Sequence, residues 1–250
     1  DGGERKLPEL LDRICSEIDG DFRVRLGMAN PGGVHGIREE LADVFARHRK
    51  LYNFIHLPVQ SGSDSVLEDM RRQHRVEKFR EIVATFDDRL DHWTLSTDFI
   101  VGFPTETPAD HERSMALFRE IRPEKANVTR FSKRPGTDAA DLKGLGGQVQ
   151  KDRSKEMSAL QREVAAETYE SMVGERYRVM AVRDGTGDSM KCRDDAYRQI
   201  IVRDADDRGI EPGDTFEVEV TSHQTVYAFG EPVSAAEAPQ TGRSVSVTTD

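Results

Sequence analysis

Four times within the first ~140 residues, a short apolar stretch ends on a polar turn marked by Gly or Pro, and amphipathic helical segments fill the intervals. The turns are Gly27-Met28-Ala29-Asn30-Pro31, His56–Asp64 (HLPVQSGSD), Ser96–Thr107 (STDFIVGFPTET) and Phe131–Thr137 (FSKRPGT). A repeated strand–helix order implies parallel strands joined by right-handed crossovers. The C-terminal ends of such strands open on one face, where ligand-binding and catalytic groups gather. The fold class expected is therefore α/β, with the strands arranged as part of a (β/α) barrel.

The spacing predicts helices over Leu7–Ile18, Ile37–His48, Asp64–Arg72 and Val76–Asp87. Strands are predicted at Phe22–Leu26, Asn53–Leu57, Leu95–Pro104 and Asn127–Phe131. Thr107, Pro108 and Asp110 suit the N-cap, first and third positions of a helix running to about Ile121, close to a capping box. In Phe54–Asp64, Gly62 permits backbone angles other residues resist, and Ser63 or Asp64 suits an N-cap. By itself this stretch reads equally as an ordinary βα turn or as a ligand site.

The character changes downstream. Gly144–Gly147 is linker-like, and Gln148–Met172 is a polar helix whose sparse apolar stripe, Met157, Leu160 and Val164, suits a connector. From Gly174, short strands at Arg176–Val182, Met190–Arg193, Gln199–Val202, Thr215–Val220 and Val226–Phe229 predict a small β-barrel. Ser234–Asp250 has no apolar pattern and reads as a disordered tail. The domains expected are 1–147, a connecting helix at 148–173, a barrel at 174–233 and the tail at 234–250.

Composition narrows the function classes. The net charge of −10, carried with basic residues that are mostly Arg, suggests a salt-rich cytoplasm or simply an acidic protein, and by itself argues against a nucleic-acid partner. From Gly174 to Val233 there are 8 Lys/Arg against 13 Asp/Glu. No apolar run approaches the ~18 residues of a membrane span. Cys15 and Cys192 are far apart with no metal-ligand spacing, so both read as buried or incidental thiols in a reducing compartment. The chain begins at Asp1 with no signal peptide, and is expected to be a fragment.

Together the turns resemble the methylthiotransferases, a radical S-adenosylmethionine (SAM) family that modifies tRNA or a ribosomal protein. His56–Asp64 is similar to that family's HLPVQSGSD strand end, Met70–His74 to the segment after it, Ser96–Thr107 to its SxDxIVGFPGET strand and Phe131–Thr137 to its FSxRPGT strand. Two positions depart: Arg75 stands in place of a usual Thr, and Thr105 in place of a usual Gly. The final barrel resembles the TRAM module, an OB-like RNA-binding domain. Arg25–Pro31 is closest to the branch acting on N6-threonylcarbamoyladenosine (t6A) in tRNA. The resemblance spans residues 5–235 and implies a radical-SAM-type partial barrel, its last four βα units, followed by TRAM.

The resemblance implies SAM and, in full-length members, two [4Fe–4S] clusters whose cysteines, a CxxxCxxC motif included, have no counterpart in this chain. A chain lacking them is expected to be inactive alone. Partners implied are tRNA through its anticodon stem-loop and an electron donor, with a cytoplasmic monomer and no membrane. Gln60, Ser61 and Ser63 are candidates for the SAM carboxylate, amine or ribose, or equally for turn capping. Ser96 and Asp98 alternate on one strand face and are the ribose candidates. Ile100, Gly102 and Glu106 resemble an adenine-contacting GxIxGxxE element, although Asp98 replaces its first Gly and Ile100 reads as well as plain core. Asn30 and Arg134 are candidates at the substrate, Arg134 for a carboxylate or phosphate. His56 reads as a satisfied core histidine. In the barrel, Arg176, Arg178, Lys191 and Arg193 are candidates for RNA. The other readings are a non-catalytic RNA-binding remnant and methylthiolation of a ribosomal protein.

Overall fold

The computed structural model describes residues 6–233. Its first helices are α1 (Leu7–Glu17), α2 (Pro31–Val34) and α3 (Arg38–Arg47), followed by strand β1 (Phe54–His56). Next come α4 (Asp64–Asp69), α5 (Val76–Arg89), β2 (Thr94–Val101), α6 (Pro108–Ile121) and β3 (Lys125–Arg130). β1, β2 and β3 form a parallel sheet in that order.

The strand predicted at Phe22–Leu26 is not a regular strand. That segment and the turn after it make only isolated parallel bridges, Val24 to Leu51 and Met28 to His56. Its neighbour β1 has three residues, too few to template a continuous ladder, so three paired strands replace the four expected. The helix predicted over Asp64–Arg72 stops at Asp69, just before Arg71 turns into the left-handed region (φ 56°). Thr107, Pro108 and Asp110 form the full capping box of α6.

Alternation along β2 sorts its side chains onto two faces. Leu95, Thr97, Phe99 and Val101 are buried under the helices, with Phe99 5.5 Å from Phe118 of α6. Thr94, Ser96, Asp98 and Ile100 share the other face with Phe54 and His56 of β1 and with Lys125, Asn127 and Thr129 of β3, their register partners. This second face, turned away from α6, is the inner face of the sheet.

Helix α7 (Gly147–Glu170) then ties two cores together. Its Met157 and Val164 belong to the core of the first unit. Tyr169, and Met172 just beyond, belong to the core of the second. That second unit is a closed barrel of β4 (Arg176–Asp184), β5 (Ser189–Asp194), β6 (Gln199–Arg203), β7 (Thr215–Gln224) and β8 (Tyr227–Pro232), in the order β4-β5-β6-β8-β7. Within it, β6 and β8 pair in parallel and the other neighbours are antiparallel. The predicted tail, 234–250, lies outside the described residues.

The turn between β5 and β6 docks the barrel against the start of the sheet. Tyr197, held at φ 63°, packs its ring 4.9 Å from Tyr52 and 5.1 Å from Phe54. Arg25, Lys125 and Arg193 stack their cations over the same ring. Arg23 pairs with Asp195 at 2.6 Å, and the Asn53 amide donates to the Asp195 carbonyl. Burial, reinforced by Arg193 and Arg25, lowers Lys125 to about 8. Burial also raises its neighbour Glu124 to about 7, although that carboxylate accepts from the Leu95 amide.

Candidate functional site

The inner face of the sheet carries a polar row across all three strands. Asp98 Oδ1 accepts from Asn127 Nδ2 at 2.7 Å on one side and from His56 Nε2 at 3.1 Å on the other. His56 is thus not a core histidine; it stands on the open face beside Asp98. Ser96, one step toward the start of β2, is buried and its hydroxyl has no hydrogen-bond partner among the described residues. Asp98 Oδ2 and Ser96 Oγ are two unengaged oxygens on one strand face, two residues apart. That donor set fits a ribose diol, which needs an acceptor carboxylate and an adjacent hydroxyl.

The loop after β1 is used differently. Ser63 Oγ donates to Asp110 Oδ1 at 2.6 Å, Ser61 Oγ lies 3.4 Å from Ser114 Oγ, and the Gly62 amide donates to Ser114 Oγ at 2.9 Å. A Cβ on Gly62 would sit 2.6 Å from the Arg113 carbonyl oxygen, so only glycine lets the loop lie this close to α6. Ser61 and Ser63, predicted at the cofactor, are turned onto α6 on the outer side of the sheet, where both are buried. Ser63 occupies the N-cap position of α4 without capping it, and Asp64 Oδ1 instead accepts from the first amide of α5 at 2.8 Å. Gln60 adopts φ 73° and continues the backbone pairing, its amide donating to the Asp98 carbonyl and its carbonyl accepting from Ile100.

At the end of β2, Gly102 holds φ 74° and its amide donates to Glu106 Oε2 at 2.6 Å. Glu106 is buried and paired with Arg153 of α7 at 2.5 Å, while its Oε1 has no partner among the described residues. Gln150 of α7 closes on the Gly102 carbonyl at 3.0 Å. Glu106 therefore anchors α7 to the turn, and Gly102 is the point of close approach. Ile100 is half-buried and lines a pocket of about 480 Å³ at the mouth of β2 and β3, together with Phe103, Phe131, Arg72, Arg130 and Arg134.

The predicted substrate residues do not converge. Asn30 caps α2, accepting from the Gly32 amide at 2.8 Å. Arg134 sits at the pocket mouth. Arg176, paired with Glu219, and Arg178 instead line a cleft of about 780 Å³ between the two units, at the opposite end of the strands. Lys191 lies on β5. Arg193 is engaged at the docking turn, donating to the Tyr197 carbonyl at 3.0 Å and to Gln199 at 3.3 Å. Sequence patterning overlooks Asn127, Lys125, Arg72 and Arg130; the period-two alternation of β3 is the signal that finds the first two.

No group of three or more His, Cys, Asp or Glu side chains is disposed to hold a metal among the described residues. Cys15 and Cys192 are buried in different cores, and burial raises Cys192 to about 12. These side chains do not fit an iron–sulfur cluster.

Residues 2–118 match the model of the Radical SAM superfamily. The chain is 40% identical over 240 residues to a probable threonylcarbamoyladenosine tRNA methylthiotransferase of Archaeoglobus fulgidus, covering 96% of this chain and 54% of that protein. It is 34% identical to a tRNA-2-methylthio-N(6)-dimethylallyladenosine synthase of an Arthrobacter species, covering 94% of this chain and 46% of that protein. The fold matches that of coproporphyrinogen III oxidase (HemN) from Escherichia coli, a radical SAM enzyme, with a TM-score of 0.52 over 77% of this chain and 51% of that one, at 14% identity. The chain spans about half the length of the curated relatives it matches.

Proposed function

Since the chain belongs to the radical SAM superfamily, we propose that it is the SAM-binding and RNA-binding portion of a tRNA methylthiotransferase acting on t6A. The observation that carries this reading is the polar row His56–Asp98–Asn127 on the inner face of a parallel sheet, with Ser96 beside it, under a mouth lined by Arg134. The first unit is read as the last part of a radical-SAM-type barrel, and the five-stranded barrel as a TRAM module.

In this reading, Asp98 and Ser96 hold the ribose of SAM, and Asn127 and His56 fix the carboxylate so that its free oxygen faces the ligand. Ile100 and the Gly102 backbone form the apolar wall against which the adenine lies. When bound, SAM would supply the adenosyl and methyl groups, its reductive cleavage needing an electron donor that these residues do not provide. The protein's own residues orient it and, through the apolar walls around Ile100, Phe103 and Phe131, keep water away. Arg178 and Lys191 on the small barrel offer cations to RNA phosphates, in a module where acidic side chains outnumber basic ones. RNA binding by that module is then selective through shape and rings rather than through bulk charge.

Mass spectrometry of tRNA nucleosides from a strain lacking the gene tests the assignment. Loss of the methylthiolated nucleoside with t6A still present is the expected result. Persistence of the methylthiolated nucleoside overturns it.

A further inference from the structure

The turn that docks the small barrel onto the sheet gathers more positive charge than its carboxylates balance. Three cations stand around the Tyr197 ring: Arg193 at 4.4 Å from its centroid, and Arg25 and Lys125 at 5.3 Å each. Arg25 and Lys125 also lie over the Phe54 ring, at 5.4 and 5.6 Å. They come from three separate segments: Arg25 from the stretch before α2, Lys125 from the inner face of β3, and Arg193 from β5. None of the three has a carboxylate within ion-pair distance among the described residues. The carboxylates of the same region are already committed. Asp194 pairs with Arg198 at 2.7 Å, Asp195 pairs with Arg23 at 2.6 Å, and Glu124 accepts from the Leu95 amide at 2.9 Å. The imbalance shows in Lys125, which burial and then the charges of Arg193 and Arg25 hold at about 8, against the weaker opposite pull of Asp194 and Glu124.

A guanidinium stacked on a ring uses its face and keeps its N–H edge for an acceptor, and a phosphate takes that edge bidentately. The Arg25 and Lys125 side chains donate no hydrogen bond among the described residues, and Arg193 donates to the Tyr197 carbonyl and to Gln199 alone. Lys125, Arg193 and Tyr197 are half-buried and Arg25 is exposed, so the cluster opens at Arg25. Thr94, the register partner of Phe54, is fully buried, and its hydroxyl has no partner among the described residues. We infer that Arg25, Lys125 and Arg193 form a binding site for a phosphate group at the junction of the sheet and the small barrel. The site lies at the start of the strands, away from the strand-end pocket, and the proposed activity does not use it. Arg25 and Lys125 belong to the first unit and Arg193 to the second, so the bound anion ties the two together. Free inorganic phosphate and the backbone of bound RNA are its two sources, and both present the same tetrahedral acceptor.

The test is thermal unfolding of the full-length natural protein at neutral pH, in millimolar sodium phosphate against sodium chloride at matched ionic strength. Phosphate raises the melting temperature of wild type by about 2 °C or more over chloride. Lys125→Met and Arg25→Gln each lose that increment, whereas Arg208→Gln, at an arginine of the small barrel paired with Glu231, keeps it. Arg25 is exposed, so its replacement reads the site even where Lys125→Met perturbs the packed turn. RNA titrations then identify the source. With free phosphate as the occupant, RNA affinity is the same in phosphate and in chloride. With an RNA phosphate as the occupant, phosphate weakens RNA binding by wild type about threefold or more and leaves binding by Arg25→Gln unaffected. Equal melting temperatures in phosphate and chloride overturn the inference, as does an increment of the same size in wild type and in both cluster variants.

Discussion

Asn127 Nδ2 donates to Asp98 Oδ1 at 2.7 Å across the β2–β3 pair, leaving the second carboxylate oxygen of Asp98 free on the inner face of the sheet. In the proposed placement of SAM against this face, that oxygen would be the ribose acceptor. Asp98→Ala should weaken SAM binding roughly 10- to 100-fold, the range for losing a hydrogen bond to a charged group. Isothermal titration of SAM into the full-length protein checks this, and unchanged affinity removes Asp98 from the site. Asn127→Ala should have a smaller effect in the same direction, because it loosens Asp98 rather than removing it.

Asp110 is the hinge pin of the loop after β1. Its burial opposes ionisation, but hydrogen bonds from Ser63 and Thr107 and the charge of Arg113 prevail and hold the carboxyl at about 2. A depressed folded-state value means the stabilisation is fully present above the unfolded value of ~4 and is lost as pH falls through about 2. Asp110→Asn should therefore cost about 2 kcal/mol near neutrality and little at pH 2. Urea unfolding at the two pH values measures the difference, and an equal cost at both would count against it.

The buried pair of Glu106 and Arg153 fixes α7 to the end of β2. Removing one partner strands the other charge, so Arg153→Met should destabilise by about 3–5 kcal/mol. Replacing both, Glu106→Leu with Arg153→Met, should recover most of that loss in the same unfolding assay. If the double variant is as unstable as the sum of the two single variants, the coupling is absent.

Tyr197 carries the docking of the barrel onto the sheet, through rings of Tyr52 and Phe54. Tyr197→Ala should remove about 1–3 kcal/mol of packing, from two aromatic pairs of about 0.5–1.5 kcal/mol each. The loss should appear as an earlier, separate melting transition for the barrel. A single transition at the wild-type temperature would show that α7 alone couples the units.

Much of the architecture is legible in the chain because local signals agree with the fold. Thr107-Pro108-Ala109-Asp110 specifies a helix start by local hydrogen bonding, and the structure contains that capping box. The alternation of Ser96 and Asp98 places both on the inner face for the same reason, since strand periodicity is a backbone property. What is not legible depends on partners distant in sequence. Ser63 looks like an N-cap because Ser before a helix usually is one, yet Asp110, 47 residues later, takes its hydroxyl. Arg193 looks like an RNA cation, but Tyr197 captures it at 4.4 Å. Val24 lies in an alternating stretch that reads as a strand, but its bridge partner is Leu51, just ahead of a three-residue β1.

The most direct test joins the inner face to the reaction. The deletion strain is supplied with the full-length gene, either wild type or Asp98→Ala at matched protein levels, and the tRNA nucleosides are quantified by mass spectrometry. Wild type should restore the methylthiolated form of t6A, and Asp98→Ala should leave t6A unmethylthiolated. Full restoration by Asp98→Ala would contradict the placement of the cofactor against this face of the sheet.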